Sequence, residues 1–198
     1  MKIYFIRHGE SEANITMAYN SRNYKIHPLT EIGKKQIESG IEIIENIKFD
    51  EYYSSPILRA IESSEIISKK IKKEYIVAEE IKEIDMGIFE GEKGKIADDA
   101  YRNMLNEWIL NRCYDKKIEN GESFYDVEKR FEIFLGKISK ESKNVLVVSH
   151  AGFIRAIFSK YAENFSLGYT FYNKINNGKI AILDLDKKEG LLWNNKEI

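Results

Sequence analysis

The chain has 198 residues, 43% hydrophobic and 12% aromatic, the length of one domain (residues 1–198) able to bury a real core. With 31 basic and 32 acidic residues the formal net charge is −1, so no global positive field exists to hold a nucleic acid or an anionic membrane. The single cysteine, Cys113, excludes a disulfide framework and a cysteine-based zinc cluster, and Met1 to Gly9 hold no apolar run suited to a signal peptide or membrane span. A soluble, cytoplasmic, globular protein is expected.

Lys2-Ile3-Tyr4-Phe5-Ile6 is a nearly all-apolar, β-prone run, the pattern of a strand buried on both faces in a parallel sheet covered by helices. Thr30 can cap a helix that buries Ile37, Ile41 and Ile44, at i, i+4 and i+7. A short strand is predicted at Glu51–Ser54. Ser55-Pro56 then reads as an N-cap followed by proline at the first helical position, ahead of a stripe of Ile57, Ile61 and Ile71. Ala60 and Ser64 fill close contacts on that stripe. Lys69-Lys70 and Lys72-Lys73 suit the helix's solvated end. Another short strand is predicted at residues 75–78. Residues 92–121 break the rhythm: charged and helix-prone, with Tyr101, Met104, Trp108 and Ile109 loosely periodic, they predict a helical insertion over one end of the sheet. Ser123, with Asp126 three residues on, starts a helix that buries Phe124, Val127, Phe131, Phe134 and Ile138. Asn144 to Ser149 is a second buried strand, and residues 179–185 and 191–194 form a hairpin at or near a sheet edge. The alternation predicts an α/β fold, a three-layer α/β/α sandwich with a mostly parallel, mixed sheet.

The chain contains 3 histidines, and two of them, His8 and His150, directly follow the two most strand-like runs. Ligands of open α/β sheets bind beyond the carboxyl ends of the strands, so both imidazoles are expected on one rim. Arg7 adjoins His8. Arg59 falls in the first turn of the helix that follows another strand end. Ala151-Gly152-Phe153-Ile154 opens a further helix, whose free N–H groups would face an anion beside His150. Two guanidiniums, two imidazoles and a helix N-terminus describe a site for a phosphoryl group. The positive charge is then local, in agreement with a net charge near zero. No zinc-protease histidine spacing and no Walker-type glycine loop competes with this reading.

Arg7-His8-Gly9-Glu10-Ser11-Glu12-Ala13-Asn14 resembles the Arg-His-Gly signature of the histidine phosphatase (phosphoglycerate mutase-like) superfamily. Further likenesses follow in the family's order. They are Pro28-Leu29-Thr30 with Gly33 and Gln36, Tyr53 through Ala60 around the second arginine, and Glu83 with Gly87 and Glu90-Gly91. Gly121-Glu122-Ser123 and Val148-Ser149-His150-Ala151-Gly152 complete the set, which runs from Lys2 to about Phe158. Ser63 stands where a threonine is common and His27 where an aspartate is often found; neither is among the reacting groups.

The resemblance implies that His8 is a nucleophile forming a phosphohistidine. It further implies that Arg7, Arg59 and His150 stabilise the charge on the transferring phosphoryl and that Glu83 is the general acid and then base. Composition alone does not single out Glu83 from Glu79, Glu80 and Asp85. Arg7 and Arg59 should keep His8 neutral by like-charge repulsion, with a backbone carbonyl at Gly9 fixing its tautomer. Asn14 is expected to donate its side-chain amide to a phosphate oxygen, and the backbone at Ala151 and Gly152 to help bind the group. No metal and no cofactor is implied. The function expected is a metal-independent phosphomonoesterase acting on a small phosphorylated metabolite, such as a sugar phosphate, α-ribazole phosphate or a glycolytic acid. The alternatives are a phosphoglycerate mutase and a silent phospholigand-binding module. Lys93, Lys95, Tyr101, Arg102, Trp108, Arg112, Tyr114, Lys116 and Lys117 are candidates for the substrate rim, or equally the solvated face of a helical insertion, and Trp108 is expected more as a packing residue than as a substrate stacker. His27 is expected in a loop, and Cys113 as an incidental thiol.

Overall fold

The computed structural model describes residues 1–197. Strands β1 (Lys2–Arg7), β2 (Glu51–Ser54), β3 (Ile76–Val77) and β4 (Asn144–Ser149) are joined, in chain order, by β5 (Ile180–Asp184), β6 (Glu189–Trp193) and β7 (Lys196–Glu197). They form one seven-stranded sheet in the order β3-β2-β4-β1-β5-β6-β7. The first four strands run parallel, and β5, β6 and β7 extend the sheet antiparallel from β1. The tail is thus a hairpin at one end of a mixed sheet, as the sequence predicts.

Side chains of the central strands alternate between two apolar clusters, which is how a continuous apolar run fits a sheet covered on both faces. Ile3, Phe5, Val145 and Val147 enter the cluster that holds Phe131, Phe134, Phe153 and Phe158. Those rings belong to α5 (Phe124–Lys137) and α6 (Ala151–Tyr161). Tyr4, Ile6, Leu146 and Val148 enter the other cluster, with Ile37, Ile41, Ala60 and Ile67. These come from α2 (Glu31–Ile41), which follows the short α1 (Glu12–Thr16), and from α3 (Leu58–Ile71). Each fully buried apolar side chain contributes about 1.5–3 kcal/mol. Among the described residues, no helix is long and apolar enough to cross a membrane.

Thr30 caps α2 by accepting from the Gly33 amide, and Ser123 with Asp126 forms the capping box of α5. Ile44 is buried, but in the turns beyond the end of α2. The second helix departs from expectation. It begins at Leu58 with Ile57 as its N-cap, so Ser55-Pro56 lies ahead of it and does not cap it. Its buried face is Arg59, Ala60, Ser63, Ser64 and Ile67, while Ile61 and Ile71 are only half-buried. The small residues let the helix approach β2 closely enough for the Tyr52 hydroxyl to donate to the Ser64 carbonyl at 3.2 Å. That approach displaces the two isoleucines to the flank.

Residues 92–121 contain α4 (Lys95–Ile109), which buries Ala97, Met104 and Trp108. Trp108 is a packing residue, not part of a rim. It is fully buried against Phe124 and Phe171, and its indole N–H donates to the Lys116 carbonyl at 2.7 Å. Phe171 lies on the short α7 (Leu167–Tyr172).

The loop that leaves β1 packs backbone to backbone on the start of α2. A Cβ on Gly9 would collide with the Gly33 carbonyl, and a Cβ on Gly33 with the backbone of Glu10. Neither neighbour is a side-chain tip that can swing away. Gly33→Ala should therefore lower stability by about 1–3 kcal/mol, read as a shift in the urea midpoint at unchanged slope.

Candidate active site

His8 follows β1 directly, and its amide donates to the Ser149 carbonyl at 3.0 Å. β1 and β4 pair in register up to Arg7 and Ser149, so His8 and His150 leave the sheet side by side, ring centroids 5.0 Å apart. Both rings are buried. The Nδ1 of His8 lies 2.7 Å from the Gly9 carbonyl, which can only accept, so Nδ1 carries the proton. Nε2 is left with its lone pair and accepts from the Nε–H of Arg59 at 3.0 Å. The ring is thus neutral, with one tautomer selected, as the sequence anticipates.

Burial is the largest cause holding the His8 pKa well below 6.5, followed by Arg59 and then Arg7; the Gly9 carbonyl pulls the other way. His150 is lowered in the same direction, again first by burial and then by Arg59. The arginines repel a proton from each ring, as expected, but desolvation outweighs them.

Arg59 sits in the first turn of α3, and besides His8 it donates to the Asn20 side chain at 2.8 Å and the Asn20 carbonyl at 2.9 Å. Arg7 donates through Nη1 to the Ile175 carbonyl at 2.8 Å, and among the described residues its buried Nε–H has no partner. Burial lowers both guanidiniums to about 10, against the opposing pull of Glu83. Asn14 accepts at Oδ1 from the Ser11 amide and hydroxyl and from Asn177, which leaves its amide N–H groups to donate elsewhere.

Glu83 lies between 3₁₀ turns at Glu79–Ile81 and Gly87–Phe89. Its carboxylate accepts from the amides of Gly152 at 3.0 Å, Phe153 at 2.9 Å and Ile84 at 2.9 Å. This changes the expected part of Gly152: its N–H, expected to face a bound phosphate, faces Glu83. A carboxylate satisfies the start of α6, because orphan amides and the helix dipole favour any anion there. A Cβ on Gly152 would stand 2.5 Å from the Glu83 Oε1, so glycine is what admits the contact. The Ala151 carbonyl accepts from Arg155.

Further residues hold these groups in place, through partners that the local sequence does not reveal. Asn20 orients Arg59. Ser63 accepts from the Gly9 amide at 3.2 Å and donates to the Arg59 carbonyl at 2.6 Å, joining the two motifs. Asn177 donates to the His8 carbonyl at 3.0 Å. Ser55, expected as a helix cap, stands 2.7 Å from the His150 Nε2. Glu10 and Gln36 hold the loop itself: Glu10 accepts from the Thr30 hydroxyl, and its amide donates to Gln36.

Of the rim candidates, Tyr101 of α4 faces inward, and its hydroxyl accepts from Arg155 at 3.1 Å. Lys93, Lys95, Arg102, Arg112, Lys116 and Lys117 are exposed, with Arg102 beside Asp99 and Lys117 beside Asp126. Tyr114 stacks on Phe124 and Tyr125. His27 is a loop residue of positive φ near Glu12, and Cys113 is an exposed thiol.

The profile of the histidine phosphatase superfamily (branch 1) matches residues 3–196. The chain belongs to the histidine phosphatase superfamily. Phosphoserine phosphatase 1 of Hydrogenobacter thermophilus is 30% identical over 161 residues, covering 80% of this chain and 74% of that protein. The 2,3-bisphosphoglycerate-dependent phosphoglycerate mutase of Thermoplasma acidophilum is 29% identical over 182 residues, covering 91% and 86%. Among solved structures, a mycobacterial glucosyl-3-phosphoglycerate phosphatase superposes with a TM-score of 0.81 at 19% identity, over 98% of this chain and 99% of that one. That likeness is one of fold. At the level of enzyme class the protein is a phosphatase of this superfamily.

The neutral histidines carry a pH signature. Unfolded, each binds a proton near 6.5; folded, each resists it. Above that pH both states are neutral and no proton-linked cost exists. Below it the unfolded chain binds more protons, so stability should fall by up to about 1.4 kcal/mol per pH unit per histidine. Urea midpoints measured from about pH 7 to 5 should drop less steeply in His150→Gln than in the wild type.

Proposed function

We propose that this protein is a metal-independent phosphomonoesterase that hydrolyses a small phosphorylated metabolite through a phosphohistidine on His8. One observation carries the reading. His8 is buried, neutral and protonated on Nδ1, so its Nε2 lone pair is the one available to attack phosphorus.

In the first step Nε2 gives up its bond to Arg59 and attacks phosphorus as the bond to the ester oxygen breaks. The Nδ1–H bond to Gly9 steadies the charge that grows on the ring. Arg7, Arg59, Asn14 and His150 bind the equatorial oxygens, and positioned charge is the main source of catalysis in phosphoryl transfer. Among the described residues, Arg7 Nε and His150 Nδ1 are buried polar atoms without protein partners, as groups meant for such oxygens would be. Glu83, in its acid form, protonates the leaving oxygen. As carboxylate it then takes a proton from the water that breaks the N–P bond and releases phosphate. Glu83 is the acidic group that both Arg7 and Arg59 feel first.

In this reading residues 1–198 form one domain, with 92–121 as a cap over the site; the contact of Tyr101 with Arg155 supports that assignment. A second reading, a phosphoglycerate mutase, draws support from the 29% identity to the Thermoplasma enzyme. It shares the first step and returns the phosphoryl group to a sugar acid instead of water.

The test is phosphate release from an aryl phosphate in the presence of a chelator, alongside isomerisation of 3-phosphoglycerate. His8→Ala should lower release by at least about 10³-fold. Glu83→Gln should cost about 10²–10⁴-fold on an alkyl phosphate, whose leaving group needs a proton, and much less on an aryl phosphate. Release that survives His8→Ala would refute the mechanism, and isomerisation faster than release would favour the mutase.

A further inference from the structure

The hydroxyl of Ser55 is buried with two neighbours. It lies 2.7 Å from the His150 Nε2 and 3.4 Å from the Ile57 amide nitrogen. The Ile57 N–H can only donate, so the hydroxyl oxygen accepts there. Among the described residues its own proton has one acceptor in reach, the Nε2 of His150. A ring nitrogen that accepts is unprotonated, so in the neutral imidazole the proton must reside on Nδ1. Among the described residues, Nδ1 is the buried atom of His150 that no protein group satisfies.

We propose that Ser55 is a positioning residue that locks His150 in the Nδ1–H tautomer, so that a neutral ring presents a hydrogen-bond donor to the transferring phosphoryl group. The proposal rests on the phosphoryl-transfer reading above. It adds why a neutral histidine can serve an anion: with the opposite tautomer, Nδ1 would turn a lone pair on the phosphoryl oxygens and repel them. The arrangement mirrors that of His8. There a carbonyl acceptor holds the proton on Nδ1 and frees Nε2 to attack. Here a hydroxyl donor occupies Nε2 and leaves Nδ1–H to bind. Opposite chemical tasks thus come from opposite hydrogen-bond partners on two rings in contact.

The motif position fits. Ser55 immediately follows β2, and its amide donates to the Val148 carbonyl at 3.0 Å, which fixes it next to the end of β4. The apparent helix cap of the sequence is a tautomer selector in the fold.

The test uses long-range proton–nitrogen correlation spectra of the ¹⁵N-labelled full chain at neutral pH. Wild-type His150 should show a protonated Nδ1 and an unprotonated Nε2. In Ser55→Ala the two tautomers should mix. Its kcat should fall by about 10- to 100-fold, short of the roughly 10²–10³-fold cost of deleting a transition-state donor outright. KM should stay within about threefold, because the contact tightens as charge develops. Ser55→Thr, which keeps the hydroxyl, should restore both tautomer and kcat. A wild-type His150 protonated on Nε2 would overturn the proposal even if Ser55→Ala failed to fold. So would a folded Ser55→Ala that kept both the Nδ1–H tautomer and kcat. If the wild type released no phosphate from any ester, the hydrolase reading would fail, while the spectra would still decide the tautomer.

Discussion

The in-register parallel pairing of β1 with β4 is the constraint on which the rest of the site depends. Lys2 lies opposite Asn144 and Arg7 opposite Ser149, so the next residue on each strand is a histidine. A slip of one residue would reverse every side chain. Phe5 and Val147 would leave one apolar cluster, Ile6 and Val148 the other, and the two rings would no longer meet. Register is therefore held by apolar packing on two faces, and the chemistry at the strand ends inherits it.

Burial then sets the charge states. Both imidazoles are neutral chiefly because they are desolvated, and the neighbouring arginines reinforce that. The hydrogen-bond partners of those arginines are themselves uncharged: the Ile175 carbonyl, the amide and carbonyl of Asn20, and the His8 ring. Among the described residues the guanidiniums are held in position without a carboxylate in direct contact, which leaves their charge available to an anion. Glu83 is kept at one side by the start of α6. A helix N-terminus of the kind that binds phosphate here orients a carboxylate instead.

The loops that carry these groups are over-determined. The segment after β1 is tied to α3 through Ser63, to α2 through Gln36 and Thr30, and to the approach of β5 through Asn177. The close approach of Gly9 and Gly33 leaves it no room to shift. Such redundancy suits a group that must hold one ring orientation while its bonding partner changes.

The sequence by itself determined the strands at both ends, the helices capped by Thr30 and Ser123, the terminal hairpin and the convergence of His8, His150, Arg7 and Arg59. Those features follow from period-two and period-3.6 apolar patterns, local caps, and the rule that strand ends host ligands, all written in adjacent residues. The family resemblance, not the local pattern, singled out Glu83 from its acidic neighbours. Tertiary structure decided what depends on partners far apart in the chain. Ser55 meets His150 across 95 residues, Glu83 meets Gly152 across 69, and Asn177 meets His8 across 169. It also decided that Trp108 is core and that α3 packs by its alanine and serines. A short polar residue such as Ser55 caps a helix or orients a ring with the same hydroxyl, and only the neighbour that folding brings to it selects between them.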